Sequence, residues 1–234
     1  MSGGASSAGT LPNLWVVVPA YREARVIGDT VRKLKGVFPN VVVVDDGSPD
    51  DTARQALAAG AVVVRHIINL GAGAATQTGL VFALRQGASH VATYDADGQH
   101  HVEDLERMCE RMAQGDVDVI FGSRFLGAVE NMPASRRLLL RLAVIFTNWT
   151  TGGRFTDAHN GLRLMTAEVA SRIDLLQNGM AHASELVHQV IQQGFRYIEM
   201  PVRVTYTTYS LAKGQRNWNA LRILGDLLVG LFVR

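Results

Sequence analysis

Residues 41–52 read VVVVDDGSPDDT, and residues 91–100 read VATYDADGQH. In each stretch a short apolar run, of the kind that forms a strand buried on both faces, leads directly into acidic residues. Residues 14–21, LWVVVPAY, begin with a third apolar run. Ligands of parallel α/β sheets bind beyond the carboxyl ends of the strands. We therefore expect the polar residues that follow the three runs to meet at one edge of a single sheet.

Strands and helices alternate through the first half of the chain. Apolar runs predict strands at 14–18, 41–44, 61–64, 91–94 and 117–121. Helical spacing predicts helices at 27–34, 52–59 and 71–85, and a fourth that contains Leu105 and ends at Gly115. This alternation predicts an α/β fold with a Rossmann-like, mostly parallel central sheet flanked by helices. In the second half we predict helices at 136–149, 183–193 and 218–233, and a strand or hairpin around Pro201 at 195–206.

Length and composition predict one folded domain, at residues 13–210. The chain has 234 residues, of which 47% are hydrophobic and 19% charged, and its net charge of +2 gives no general case for nucleic-acid binding. The single cysteine, Cys109, excludes an internal disulfide and favours a reducing compartment. Residues 1–12 are predicted to be a disordered tail, because they lack the features of a signal peptide. No run approaches the ~20 apolar residues of a spanning helix, so we expect a cytoplasmic location that includes the inner membrane surface.

Asp95 and Asp97 form the most distinctive acidic pair, because they stand one residue apart after a predicted buried strand. Two carboxylates in this arrangement suit Mg²⁺ or Mn²⁺, which prefer oxygen ligands and bind substrate phosphates and water as well. A bound cation would offset the charge that develops on a leaving diphosphate. The alternative is an acidic surface turn, but the position after a buried strand favours a metal site.

Asp45 and Asp46 have two possible roles. As structure, they belong to a turn that feeds a helix whose first turn is rich in acids, which suits the helix dipole. As function, one of the carboxylates accepts a hydrogen bond from a nucleobase or a ribose. Residues 69–76, NLGAGAAT, are not a dinucleotide fingerprint, because Thr76 occupies the last glycine position. The small residues there instead allow a helix to approach a nucleotide closely.

Taken in order, five segments of the chain resemble the family-2 glycosyltransferases of the GT-A fold. They are VVPAYRE (17–23), VVDDGSPDDT (43–52), NLGAGAA (69–75), YDADGQH (94–100) and GSRF (122–125). More narrowly, the chain looks like the polyprenyl-phosphate glycosyltransferases, the group that includes dolichyl-phosphate mannose synthase. The resemblance implies metal-dependent, inverting transfer of a sugar from a UDP- or GDP-sugar to a polyprenyl phosphate.

The resemblance also implies roles for individual residues. Those implied to hold the nucleotide-sugar are Pro19, Tyr21, Glu23, Asp45, Asp46, Asp95, Ala96 and Gln99. Asp95 and Asp97 would bind the metal, with Asp97 the better direct ligand, and Arg124 would face phosphate. Asp97, Arg124 and Asp157 make up the implied catalytic group. Asp157 is a general base if the acceptor is a sugar hydroxyl, and otherwise orients Arg163.

The acceptor side departs from the family pattern. The residues assigned to the acceptor phosphate are Arg136, Arg137, Arg163 and Lys213. Of the late motif R-x-x-G-x-S-K only Lys213 is kept, and Thr207 stands at its arginine position. Leu140 replaces a serine that often follows the double arginine.

Two segments predict association with a membrane. Residues 136–149, RRLLLRLAVIFTNW, are basic and strongly apolar, which suits a helix lying in the interface, although a buried helix or a subunit contact is the alternative. Residues 211–234 form a second predicted amphipathic helix, which would dock on the membrane, on a small membrane protein or on another copy. The competing functions are transfer to a saccharide or protein acceptor, and nucleotide-sugar binding without catalysis.

Overall fold

The computed structural model describes residues 11–179, 181–207 and 209. The strands are β1 (Leu14–Ala20), β2 (Asn40–Asp45), β3 (Val62–Arg65), β4 (His90–Thr93), β5 (Val119–Ser123), β6 (Val129–Glu130), β7 (Arg163–Thr166), β8 (Tyr197–Pro201) and β9 (Val204–Thr205). The helices are α1 (Ile27–Lys35), α2 (Thr52–Ala58), α3 (Ala72–Arg85), α4 (Val102–Met112), α5 (Ala134–Thr151), α6 (Ala167–Arg172) and α7 (His182–Gln192). The strands and helices predicted for the first half are all present, close to their expected bounds.

Seven strands form one sheet, in the order β3-β2-β1-β4-β7-β5-β8. Its pairings are parallel except at β7, which runs antiparallel between β4 and β5. The predicted α/β fold with a mostly parallel sheet is therefore confirmed. The antiparallel strand has a consequence for the site: its first residue, Arg163, lies opposite Thr93 of β4 and Phe121 of β5, at the edge where the parallel strands end.

The sheet is buried on both faces, as the valine runs predict. Successive residues of a strand point to opposite faces. Val16 and Val18 of β1 pack into one core with residues of α1, α2 and α4, whereas Trp15 and Val17 pack into a second core with residues of α3, α6 and α7. The helices thus form a layer on each face and leave the carboxyl edge of the sheet for polar segments.

The domain boundaries expected at residues 13 and 210 stay predictions. Leu11, within the predicted tail of residues 1–12, is buried in the first core. Residues 1–10 lie outside the described residues, and so does the predicted helix at 211–234. The predicted helix at 136–149 is confirmed as the central part of α5.

Residues 195–206 form two strands that do not make a hairpin. β8 pairs with β5, whereas β9 pairs with β6 in a separate two-stranded sheet, and both pairings are parallel. The chain leaves the main sheet because the Val202 side chain enters the core and Arg203 N donates to Asp104 Oδ2 at 2.6 Å.

α3 crosses β1 at a glycine contact. A β-carbon on Gly79 would overlap the side chain of Val17 in β1. The missing side chain therefore sets how closely α3 packs on the sheet, and with it the position of the start of α3 at the carboxyl edge.

Gly79→Ala is expected to lower the free energy of unfolding by about 1–3 kcal/mol, because overpacking against Val17 outweighs the gain of about 1 kcal/mol in helix propensity. Urea denaturation measures the change. Gly28→Ala in α1 is the matched control, since its β-carbon would meet only the end of the Arg32 side chain at 3.4 Å. Equal stability of the two variants would contradict the packing argument.

Candidate active site

The polar segments that follow β1, β2 and β4 meet at the carboxyl edge of the sheet. Ala20 at the end of β1 is in register with Asp45 at the end of β2, and Asp46 N donates to Ala20 O at 2.9 Å. On the other side of β1, Tyr94 N donates to Val17 O at 2.9 Å and leads the chain into Asp95. Because β1 lies between β2 and β4, the two acidic pairs flank the same strand.

Asp95 lies among cationic and polar groups. Its Oδ2 is 2.9 Å from Nε2 of the buried His100. A β-carbon on Gly161 would overlap the Asp95 carboxylate, so the chain passes directly beside it. Although burial acts in the opposite sense, the His100 hydrogen bond and the nearby Arg163 and Arg124 lower the pKa of Asp95. The Asp95 carboxylate is therefore ionised at neutral pH.

Asp97 lies in a more negative environment. Gln99 donates to both of its oxygens, from the backbone N to Oδ1 at 3.1 Å and from Nε2 to Oδ2. Burial, together with the charges of Asp95 and Glu23, raises the pKa of Asp97 to about 6. α1, which follows β1, contacts the segment after β4 through Thr30 Oγ1, which donates to Ala96 O at 3.1 Å.

Asp95 and Asp97 fit a hard divalent cation. Both offer carboxylate oxygen. Burial and, after it, repulsion from Asp95 and Glu23 raise the pKa of Asp97, and a cation would relieve that repulsion. Among the residues that the structure describes, no group of three or more His, Cys, Asp or Glu side chains could hold an ion. A cation at this pair would take its remaining ligands from substrate phosphates and water, as Mg²⁺ commonly does.

The carboxylate of Asp46 forms hydrogen bonds with other residues of the protein. Its Oδ1 is 2.7 Å from His66 Nδ1 and accepts from Leu70 N at 2.9 Å. Its Oδ2 accepts from Asn69 Nδ2 at 2.8 Å and Gly71 N at 2.7 Å. The carboxylate therefore fixes residues 66–71, which we call the β3 loop. Its predicted contact with a nucleotide stays a prediction.

Asp45 and Ala96 also have internal partners. Asp45 is fully buried, accepts from Ser48 N at 3.1 Å and pairs with Arg65 Nε at 3.1 Å. The Ala96 side chain lies in the first core, and its carbonyl accepts from Thr30 Oγ1 at 3.1 Å. Both residues shape the turns that carry the acidic pairs, and their predicted nucleotide contacts stay predictions.

Pro19, Tyr21 and Glu23 lie at the edge beyond β1. Pro19 and Tyr21 are partly exposed, whereas Glu23 is buried. Tyr209 OH donates to Glu23 Oε2 at 2.9 Å and is 3.1 Å from Arg22 O. This contact brings Tyr209 against the first motif of the chain.

Arg124 and Asp157 form a buried ion pair. Asp157 Oδ2 accepts from Nε and from the backbone N of Arg124. Although burial opposes it, Asp157 raises the pKa of the Arg124 guanidinium. Arg124 Nη1 donates to Tyr206 OH at 3.0 Å, and the Arg136 guanidinium lies over the Tyr206 ring at 4.8 Å. Two predicted site residues, Arg124 and Arg136, are thus joined through a tyrosine that was not predicted, and Asp157 pairs directly with Arg124.

Arg163 lies beneath the same edge, with 2% of its surface exposed. Burial lowers its pKa to about 10, against the opposing effects of Asp95 and Asp157. Arg163 Nε, Asp157 Oδ1, His159 Nδ1 and Asn160 Nδ2 are buried without a hydrogen-bond partner among the described residues. Each such atom lowers the free energy of unfolding by about 1–3 kcal/mol unless water or a ligand forms a hydrogen bond with it. Their concentration in one segment indicates a place that binds a polar group.

Two of the four predicted acceptor-phosphate residues lie near Arg124. Arg136 reaches it through Tyr206, and Arg163 acts on it electrostatically. Arg137 is exposed on α5, and Lys213 lies outside the described residues.

Sequence reasoning missed His100, Tyr206 and Tyr209. The partners of the two tyrosines are remote in the chain, with 82 residues between Tyr206 and Arg124 and 186 between Tyr209 and Glu23, so no local pattern marks them. His100 carries a signal, because it follows the acidic pair within DADGQH.

Asp46→Asn is expected to loosen the β3 loop. An amide side chain has one acceptor oxygen instead of two, so buried donors lose their partner and unfolding becomes easier by about 1–3 kcal/mol. Amide hydrogen exchange at Leu70 and Gly71 should become faster. Asp51→Asn, which removes only an exposed pair with Arg54, is the control. Unchanged protection of both amides would show that the carboxylate does not hold the loop.

Sequence comparison agrees with the geometry. Residues 15–174 match the family described as Glycosyl transferase family 2. The polyprenol monophosphomannose synthase of Mycolicibacterium smegmatis is 32% identical, over 85% of this chain and 79% of its own. The UDP-N-acetylglucosamine–dolichyl-phosphate N-acetylglucosaminyltransferase of Methanococcus voltae is 28% identical, over 92% of this chain and 95% of its own.

Structural comparison gives the same fold. Glucosyl-3-phosphoglycerate synthase from Mycobacterium tuberculosis, in complex with Mn²⁺, UDP-glucose and phosphoglyceric acid, superposes with a TM-score of 0.67 at 17% identity, over 92% of this chain and 79% of that one. With the acidic pair at the carboxyl edge and the family match across most of the chain, the protein belongs to glycosyl transferase family 2 and is a glycosyltransferase of the GT-A fold.

Proposed function

We propose that this enzyme transfers a sugar from a UDP- or GDP-sugar to a polyprenyl phosphate, with Mg²⁺ or Mn²⁺ at Asp95 and Asp97. The observation that carries the proposal is the position of this pair between two unlike groups. On one side of the pair, Thr30 of α1 donates to Ala96 O at 3.1 Å and Glu23 acts electrostatically on Asp97. On the other side, Gly161 packs against the Asp95 carboxylate, and the buried Arg124 and Arg163 act electrostatically on it. A donor on the Glu23 side and an anionic acceptor on the arginine side would meet at the pair.

Relatives with the same family assignment support the choice of substrates. Two of them are named for transfer to polyprenol or dolichyl phosphate, and one of those names includes a UDP-sugar. The structural relative bound to UDP-glucose also holds Mn²⁺. These are properties of those proteins, and they make the lipid phosphate the first acceptor to test.

The reaction follows from the charges at the edge. A phosphate oxygen of the acceptor attacks the anomeric carbon in line, the bond from that carbon to the diphosphate breaks, and its electron pair leaves with the nucleoside diphosphate. This single displacement inverts the anomeric centre. A divalent cation at the acidic pair would offset the charge on the departing diphosphate. The second pKa of a phosphate monoester is ~6, so the attacking oxygen needs little help from a base.

The chain itself supplies position and positive charge. Arg124 and Arg136, joined through Tyr206, would hold the acceptor phosphate. Asp157 is 1% exposed and already paired with Arg124, which favours an orienting role over that of a general base. Arg163 is buried too deeply to meet the lipid head directly without movement, and we assign it to balancing Asp95 and Asp157.

α5 supports a position on the inner membrane surface. Leu138, Leu142, Ile145 and Trp149 are each at least half exposed, and their spacing places them on one helix face. The helix contains three arginines and no acidic residue, which suits anionic headgroups. None of the helices in the described part of the chain has the length and apolar character needed to cross a bilayer. Docking of residues 211–234 on the membrane, on a small membrane protein or on a second copy stays a prediction.

Asp97→Asn is expected to remove metal-dependent nucleotide binding. UDP or GDP should raise the melting temperature of the wild type more with Mn²⁺ than with EDTA, because bound ligand stabilises the fold by mass action. The variant should lose this difference, and its turnover should fall at least about hundredfold. Asp116→Asn, in an exposed ion pair with Arg111, should behave as wild type. A full metal-dependent shift in Asp97→Asn would exclude the pair as the metal site.

The acceptor is tested with radiolabelled UDP- and GDP-sugars and undecaprenyl phosphate in detergent. We expect metal-dependent label in the organic phase, because the product is a lipid-linked sugar. Asp157→Asn should slow transfer by disturbing Arg124, and its pH profile should keep the wild-type shape if Asp157 is not a base. Label that stays only in the aqueous phase would contradict the lipid acceptor.

A further inference from the structure

Large apolar side chains are exposed at several places in the described part of the chain. Those at least half exposed among the described residues are Leu57, Ile67, Ile68, Leu126, Leu138, Leu142, Ile145, Trp149 and Leu176. Leu57 lies near the end of α2, away from the site. The other eight follow the carboxyl end of a strand, lie on α5, or lie beside the start of α3. Ile67, Ile68 and Leu126, which follow β3 and β5, therefore lie at the edge that carries the acidic pair.

The β3 loop presents two of these side chains on a fixed backbone. Ile67 is 99% exposed and Ile68 is 64% exposed. The four hydrogen bonds of Asp46 hold the loop from below. Gly47 packs so closely under Ile68 that a β-carbon there would lie 2.5 Å from the Ile68 carbonyl carbon. The backbone of the loop is thus fixed while both isoleucine side chains are exposed to solvent, which indicates a binding surface.

Leu176 stands beside the β3 loop. It is 72% exposed, and its N donates to Glu185 Oε1 at 3.1 Å. Two residues on, the carbonyl of Asn178 packs against Gly71 of the β3 loop and accepts from Gly73 N at 3.1 Å. Leu176 therefore lies on a segment that packs against the β3 loop, and we call Ile67, Ile68 and Leu176 together the β3 patch.

The β3 patch and α5 lie on opposite sides of the acidic pair. β3 is one edge of the sheet, β1 and β4 lie in the middle, and β5 lies toward the other edge. α5 is on the β5 side, since Arg141 lies over the ring of Phe125 at 5.9 Å, just beyond the end of β5. Exposed apolar side chains therefore lie on both sides of the acidic pair.

We propose that the β3 patch is a second contact with the lipid bilayer, so that the enzyme rests on the membrane at two points with its site between them. This rests on the proposed lipid acceptor, whose phosphate lies at the bilayer surface. A flat lipid surface is the partner that meets two separated patches on one edge at once. α5 contains three arginines and no acidic residue, so we expect it to prefer a bilayer that contains anionic lipids.

The test is binding of the full chain to vesicles of phosphatidylcholine mixed with phosphatidylglycerol. Ile67→Ser with Ile68→Ser, and separately Leu176→Ser, should weaken sedimentation with vesicles, roughly tenfold for the double variant, because less apolar surface enters the interface. This loss should persist at high salt, where the contribution of the α5 arginines is screened. Leu57→Ser is the matched control, because Leu57 is as exposed as Ile68, at 64%, but lies away from the edge.

Turnover separates this inference from the proposed function. In detergent with undecaprenyl phosphate, the β3-patch variants should keep wild-type rates, which also shows that they are folded. Vesicle binding equal to wild type, or an equal loss in Leu57→Ser, would overturn the second contact while leaving the lipid acceptor in place. Self-association of the wild type that disappears in the double variant would overturn it in favour of a second copy. Absence of wild-type turnover on the lipid phosphate, with vesicle binding still dependent on the patch, would instead refute the proposed function.

Discussion

Four charged side chains beneath the carboxyl edge depend on one another. A guanidinium is tolerated in a protein interior only beside carboxylates, because the cost of removing it from water must be offset. Arg124 pairs with Asp157, and Arg163 feels both Asp95 and Asp157. The antiparallel direction of β7 makes this grouping possible, since it brings the first residue of the strand to the edge. A parallel strand in that position would place Arg163 at the opposite end of the sheet.

The two acidic motifs of the chain serve different ends, and hydrogen bonding distinguishes them. The carboxylate of Asp46 has four partners from the β3 loop, so it acts as the internal support of that loop. Among the described residues, Gln99 donates hydrogen bonds to Asp97, and burial together with neighbouring negative charge raises the pKa of Asp97 to about 6. A carboxylate with satisfied oxygens builds structure, whereas one in excess negative charge favours a cation.

The carboxyl edge of the sheet thus carries three kinds of surface: acidic, cationic and apolar. The acidic pair lies over β4, the arginines lie toward β5, and apolar side chains from α5 and the β3 loop stand on either side. The proposed transfer to a polyprenyl phosphate would use each of them, for the donor diphosphate, the acceptor phosphate and the membrane respectively.

The sequence by itself determined the α/β fold, most element positions and the meeting of the acidic segments at one edge. It could do so because valine runs, helical spacing and turn residues are local signals, and because parallel strands carry their loops to the same side. From their motifs it also predicted that Asp95, Asp97, Arg124 and Asp157 belong to one site. Only the tertiary structure decided that Asp46 turns inward, that Asp157 pairs with Arg124, that Tyr206 bonds to Arg124 and that Tyr209 bonds to Glu23. These facts depend on side chains brought together from distant parts of the chain, and on the direction of β7, which no local pattern records.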